Sequence, residues 1–240
     1  MHCRFEEIIV IGDIHGCFDE LMIMLKRISN KDKILKLFVG DLVNKGPKNS
    51  EVINFMISHR NECLSVRGNH DEIVINEWIQ NSKNAGSLKE KNKWIGSLSK
   101  EQVDYLISLP YTISLPSINN SIIVHAGLIP NLQLDQMDRV ALVSMRNLVE
   151  KPGPGEATFE WRSKPSEGGV AWIEKWAGPQ FVYFGHDAKR KLQKGACATG
   201  LDTGCVYGNQ LTGVFISGHR SGQFVTVDAK EKYQSTEKKE

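Results

Sequence analysis

The sequence has no cysteines in the spacings that disulfide frameworks or zinc motifs use. Its five cysteines, Cys3, Cys17, Cys63, Cys197 and Cys205, are odd in number and include no Cys-x-x-Cys pair. That argues against a stapled secreted scaffold and a cysteine zinc motif, and points to a reducing compartment. Long hydrophobic runs are missing too: none approaches the ~20 residues of a bilayer span. The opening residues, Met1-His2-Cys3-Arg4-Phe5-Glu6-Glu7, lack the apolar stretch of a signal peptide. The expected location is therefore cytoplasmic, with no membrane partner. An excess of one charge is also absent. The formal charge of +2 predicts neither nucleic-acid nor membrane binding in bulk, so any positive field must be local to a site.

The 240 residues, 40% hydrophobic and 24% charged, suit a soluble globular chain with a sizeable core. The expected organisation is one domain over 1–240, with 1–6 and 229–240 as frayed tails. Apolar runs at Glu7 to Ile11, Ile34 to Val39 and Cys63 to Val66 read as buried strands. Between them, Phe18 to Ile28 and Ser50 to Ser58 show helical spacing, and Glu72 to Trp78 starts a further helix. This alternation predicts an α/β half with parallel pairing. Gln80 to Ser97 is polar and lysine-rich and reads as a linker or mobile loop. Ser99-Lys100-Glu101-Gln102 is a capping box that opens a helix through Ile107. Tyr111 to Leu115 and Ser121 to Val124 read as a hairpin. Asp135 to Leu148 reads as helix and Glu150 to Gly169 as a long loop. From Gln180 onward, glycine-rich turns separate strands that read as an antiparallel half.

Five short glycine-flanked motifs carry the chemistry: Gly12-Asp13-Ile14-His15-Gly16, Gly40-Asp41, Gly68-Asn69-His70-Asp71, His125-Ala126-Gly127 and Gly185-His186. Each follows the C-terminal end of an expected strand, where ligands collect in open α/β sheets. Asp13 and His15, two apart on an extended segment, project to one side. Asp41 comes from the neighbouring strand end and could bridge two ions. Asn69 offers an amide oxygen, and His125 and His186 come from later strands. Carboxylate, amide and imidazole together suit Mn²⁺, Fe or Zn²⁺, with Co²⁺ or Mg²⁺ as alternatives, better than a thiolate-seeking metal. Singly, such an Asp is as often a helix cap, and such a His is more often a packed or surface residue than a ligand. His2, His59 and His219 are left in that ordinary class.

In this order the motifs resemble the calcineurin-like metallophosphoesterases. The resemblance extends over roughly residues 7 to 228. It is closest to the phosphoprotein-phosphatase-like branch, in particular the symmetrical diadenosine tetraphosphatases and their ApaH-like relatives. Gly46-Pro47 and Leu201-Asp202-Thr203-Gly204-Cys205 carry the closer match. The resemblance implies two mixed β-sheets in a sandwich flanked by helices, an αββα class within α/β. It implies a first divalent ion on Asp13, His15 and Asp41, and a second on Asp41, Asn69, His125 and His186. It implies His70 as the acid that protonates the leaving oxygen, Arg67 as a bidentate phosphate ligand, and attack by a metal-bridging hydroxide. Lys45, Asn44 and Arg162 are further candidates for binding substrate. Asn44-Lys45 stands where protein phosphatases of this branch have Asp-Arg. Asn44 adds no negative charge, so it should stabilise a His70 imidazolium less.

Three functions follow as expectations. The first is hydrolysis of phosphoanhydrides in dinucleoside polyphosphates such as diadenosine tetraphosphate, in polyphosphate or in capped RNA. The second is dephosphorylation of Ser, Thr or Tyr in phosphoproteins. The third is a metal-binding scaffold without catalysis.

Overall fold

The computed structural model describes residues 5–28, 33–153, 155 and 157–235, so His2 and Cys3 lie outside it. In chain order its strands are β1 (Glu7–Ile11), β2 (Ile34–Phe38), β3 (Cys63–Ser65), β4 (Thr112–Leu115), β5 (Ser121–Val124), β6 (Asn147–Lys151), β7 (Thr158–Arg162), β8 (Val170–Ala171), β9 (Phe181–Phe184), β10 (Gln193–Lys194), β11 (Ala198–Gly200), β12 (Gln210–Ser217) and β13 (Phe224–Asp228). The helices are α1 (Phe18–Arg27), α2 (Asn49–Ser58), α3 (Asn69–Lys83), α4 (Lys100–Ser108), α5 (Arg139–Ser144) and α6 (Trp172–Lys175).

Two five-stranded sheets, ordered β13-β12-β1-β2-β3 and β10-β11-β9-β5-β4, face each other. Val10, Leu37, Val39 and Val66 of one meet Ile123 and Leu201 of the other in a buried inner layer, each side chain contributing about 1.5–3 kcal/mol. Helices α1 to α4 cover the outer face of the first sheet through Leu21, Met24, Val52, Met56, Val74 and Leu106. The outer face of the second is covered by α5, α6 and the Trp172 ring. This is the helix–sheet–sheet–helix arrangement expected. The parallel β1, β2 and β3 and the β4–β5 hairpin are as expected too. The capping box at Ser99 forms, with Gln102 N donating to Ser99 Oγ.

Five expectations need correction. The segment after Gln80 is not a linker. Helix α3 continues to Lys83, and Glu90–Ser97 forms a 3-10 helix that buries Ile95 and ties Asn92 to Glu77. Asp135 to Leu148 is only partly helical, because Asn147 onward pairs as β6. The stretch from Glu150 to Gly169 is not a loop: β6 pairs with β7 and β8 in a small third sheet. Pro152 and Gly153 lie outside the strands, between β6 and β7. The later half is mixed, since β9 runs parallel to both β5 and β11. Finally, the tail is held as far as Gln234. Lys230 N and Tyr233 Oη donate to Glu20 Oε1, and Gln234 N to Val206 O. At the other end, Glu6 N donates to Lys33 O. Residues 1–4 and 236–240 of the expected tails lie outside the described residues.

Candidate metal centre

The turns beyond β1, β2, β3, β5 and β9 converge at one edge of the sandwich. They bring Asp13, His15, Asp41, Asn69, His125 and His186 together, all but Asn69 nearly or wholly buried. The backbone there is bent in an unusual way. His15, Asp41, Asn44, Lys45 and His186 all have positive φ, between 46° and 75°. Left-handed conformations are costly outside glycine and gather at functional sites, where neighbouring structure holds them. Close approach also explains Gly68 and Gly185. A Cβ on the first would collide with the Asp41 carboxylate, and on the second with that of Asp13.

The donor atoms fall into two overlapping groups. Ligand atoms of Asp13, His15 and Asp41 lie within 4.8 Å of one another, and so do those of Asp41, His125 and His186. Asp41 belongs to both, as a bridging carboxylate must. Backbone carbonyls set the histidine tautomers, because a carbonyl only accepts. Nδ1–H of His15 donates to Val43 O at 3.2 Å, Nδ1–H of His125 to Val39 O at 2.8 Å, and Nε2–H of His186 to Ser144 O at 3.1 Å. In each ring the other nitrogen is left with a lone pair aimed into the cluster. His125 Nε2 and His186 Nδ1 then face Asn69 Oδ1 at 3.1 and 3.0 Å, and His125 Nε2 faces Asp41 Oδ1 at 3.4 Å. Four acceptors converge there, an arrangement that suits a cation.

The electrostatics agree. Burial, followed by the nearby Asp202 and Asp41, raises the Asp13 carboxyl well above the usual range. Burial opposes ionisation of Asp41 as well, but His125, His70, His15 and Lys45 together hold it below the usual range. Burial, followed by Lys45 for His15 and by His125 for His186, holds both rings well below the usual histidine value. Asp71 is wholly buried behind the centre. Its carboxylate accepts from Gly68 N at 2.8 Å, Asp41 N at 3.0 Å and Leu42 N at 3.0 Å. It thus ties the Gly68-Asn69 turn to the Asp41 turn, while burial and then Asp41 push it up to about 8. Asp202 accepts from Gly204 N at 3.0 Å and faces Asp13.

The expected phosphate-handling residues divide. His70 and Lys45 are at the centre. His70 N donates to Asp41 Oδ1, and Lys45 Nζ donates to His15 Nε2 at 2.9 Å. Asn44 contacts His70 through its side-chain nitrogen. Its Oδ1 is taken by Lys45 N at 2.9 Å, so its Nδ2 donates to His70 Nδ1 at 3.1 Å. That leaves the His70 proton on Nε2, and burial lowers the ring to about 4. Arg67 is not brought to the cluster. Its guanidinium bonds Glu72 at 3.0 Å and Ile107 O and lies 5.1 Å from the Tyr111 ring. Arg162 is not brought there either, pairing with Glu160 at 2.8 Å and with Trp161 O. The arginine that does reach the centre is Arg146, which no motif marks. It lies between α5 and β6. Its Nη2 donates to His186 O at 3.1 Å, its Nη1 to Ser163 O at 2.7 Å, and its charge lowers His70, His125 and His186. The ordinary histidines behave so: His59 stacks on Phe55, and His219 pairs with Glu7.

Residues 7–219 match the family model for calcineurin-like phosphoesterases. The chain belongs to that family. As a calcineurin-like phosphoesterase it is a metal-dependent phosphohydrolase. A crystal structure provisionally assigned as a diadenosine tetraphosphatase is 33% identical, with a TM-score of 0.81 over 93% of this chain and 94% of that one. The symmetrical bis(5'-nucleosyl)-tetraphosphatase of Methylobacillus flagellatus is 24% identical over 88% of this chain and 92% of its own. The zinc-dependent endopolyphosphatase of Saccharomyces cerevisiae is 24% identical over 86% and 74%. A yeast serine/threonine phosphatase shares the fold, at a TM-score of 0.59 and 17% identity over 94% of this chain and 80% of that one. Among the described residues no helix is long and apolar enough to cross a membrane.

Proposed function

We propose that this phosphoesterase cleaves phosphoanhydrides, in dinucleoside polyphosphates such as diadenosine tetraphosphate, in polyphosphate or in capped RNA. Asp13, His15 and Asp41 hold one divalent ion, and Asp41, Asn69, His125 and His186 hold a second, of the Mn²⁺, Fe or Zn²⁺ kind. Bound there, such ions draw charge off the phosphoryl oxygens and lower the pKa of water beside them.

The remaining work falls to the chain's own side chains. Lys45 and Arg146 bear fixed positive charge on the side where the transferred phosphoryl group gathers negative charge. His70 presents its Nε2 proton to the departing oxygen. Asp71 holds the two ligand-bearing turns in register through the backbone N–H groups it accepts from.

The observation that carries the substrate reading is the Asn44 amide donating to His70. A carboxylate there would stabilise the imidazolium, the stronger acid that a poor leaving group needs. An amide N–H does the opposite. A departing nucleotide or polyphosphate is a far weaker base than a serine alkoxide and requires less protonation. The tetraphosphatase and polyphosphatase relatives accord with this reading. The test is a side-by-side assay, with Mn²⁺, Co²⁺, Zn²⁺ or Mg²⁺, on diadenosine tetraphosphate, polyphosphate, capped RNA and a phosphopeptide. The anhydrides should be turned over with the higher kcat/KM; a clear preference for the phosphopeptide would refute the reading.

A further inference from the structure

A second group of potential ligands lies behind the centre, in the core beneath α1. The Cys17 and Cys205 thiols and the Glu20 carboxylate, all buried, have ligand atoms within 4.8 Å of one another. They come from distant parts of the chain. Cys17 is the residue before α1, and Glu20 is in its first turn. Cys205 opens the short 3-10 helix Cys205–Tyr207 after the Asp202 turn. The sequence shows no metal spacing here because the two cysteines meet only when these turns pack.

Glu20 gives the group its direction. Its Oε1 accepts from Lys230 N at 2.9 Å and Tyr233 Oη at 2.8 Å. Its Oε2 is buried and has no hydrogen-bond partner. A buried carboxylate oxygen without a partner is costly. This one belongs to a carboxylate whose other oxygen is fixed from behind, and it shares the space of two thiols. Two sulfurs and an oxygen that outer hydrogen bonds orient are a ligand set for a thiophilic ion. A disulfide between the cysteines would give Glu20 no role.

We infer that Cys17, Glu20 and Cys205 form a separate site for a thiophilic closed-shell cation of the Zn²⁺ class. The ion would fasten Cys17, two residues past His15 and just before α1, to the turn after Asp202. It would also close under the C-terminal segment that Tyr233 pins. Its place in the core marks it as structural, and it does not depend on the phosphoanhydride reading.

The probes are Cd²⁺ and Co²⁺ added to the reduced, intact 240-residue chain. The Asp/His centre has no sulfur, so thiolate-to-metal charge-transfer absorption reports only on cysteine ligation. One ion per chain should give the band, and Cys17→Ser and Cys205→Ser should each abolish it. Cys63→Ser and Cys197→Ser should leave it intact. Tyr233→Phe should keep the band and weaken binding by about tenfold, as loss of an outer hydrogen bond to a ligand does. Because a cysteine variant could fail to fold, wild-type crystals soaked in Cd²⁺ supply a second measurement. Anomalous scattering should show a peak between the two sulfurs and Glu20. Absence of band or peak, a band that survives loss of both cysteines, or a Cys17–Cys205 disulfide in chain isolated without air would each overturn the proposal.

Discussion

Asn44 Nδ2 donates to His70 Nδ1 across 3.1 Å, and Lys45 N locks the amide in that orientation by donating to Asn44 Oδ1. A carboxylate at position 44 would reverse the sense of the contact, accepting from a protonated ring. Asn44→Asp is therefore expected to favour poor leaving groups. The ratio of kcat/KM for a phosphopeptide to that for diadenosine tetraphosphate should rise by about tenfold, a fraction of what a positioned acid contributes. An unchanged ratio would remove Asn44 from the substrate argument.

Arg146, rather than Arg162 or Arg67, should carry the arginine contribution to phosphate stabilisation. Arg146→Ala is expected to cost about 10²–10³-fold in kcat/KM, the scale of losing one well-placed donor. Arg162→Ala, whose partner is Glu160, should leave every substrate within about threefold. Equal losses in both variants would contradict the assignment.

The proposed ligands were legible in the sequence because each follows a short apolar strand within four residues, and all but His125 stand beside a glycine that lets the chain turn. Local pattern alone determines that arrangement. Arg146 was not legible. It reaches the centre only because α5 stops at Ser144 and β6 starts at Asn147, a boundary set by pairing with β7. The same pairing was hidden by the prolines and glycines of 152–155, which look like a loop when read alone. The sense of the Asn44–His70 contact was hidden for another reason. An amide can donate or accept, and only the Lys45 N–H decides between the two. The group at Cys17 and Cys205 depends wholly on tertiary packing.

Asp71 should matter more to stability than to chemistry. Asp71→Ala strands the buried N–H groups of Gly68, Asp41 and Leu42. Each unsatisfied donor costs about 1–3 kcal/mol, so a loss of about 3 kcal/mol or more is expected by urea denaturation. A variant within about 0.5 kcal/mol of wild type would show that the turns hold their shape without it.

The ion pair of Glu7 with Arg220 sets an acid limit on stability. Arg220 Nε donates to both Glu7 oxygens at 3.1 and 3.0 Å, and chiefly through these bonds holds the carboxyl below its usual value. A carboxyl whose folded pKa is lowered stabilises the fold above its unfolded pKa, about 4.3, and loses that contribution as pH falls through the folded value. Glu7→Gln should cost about 1 kcal/mol at pH 7. The gap from wild type should close as pH falls below about 4.3. Urea midpoints measured from pH 7 to pH 3 test this, and a constant gap across that range would contradict it.

The measurement that bears most directly on the account is metal content and hydrolysis of Asp41→Asn, side by side with wild type. Asp41 is the one carboxylate in both ligand groups. Wild type should bind two catalytic ions and hydrolyse diadenosine tetraphosphate. Asp41→Asn, folded by circular dichroism, should lose occupancy of the centre and essentially all turnover on every substrate. A folded Asp41→Asn chain that keeps both ions and full activity would contradict the two-ion centre built on Asp41.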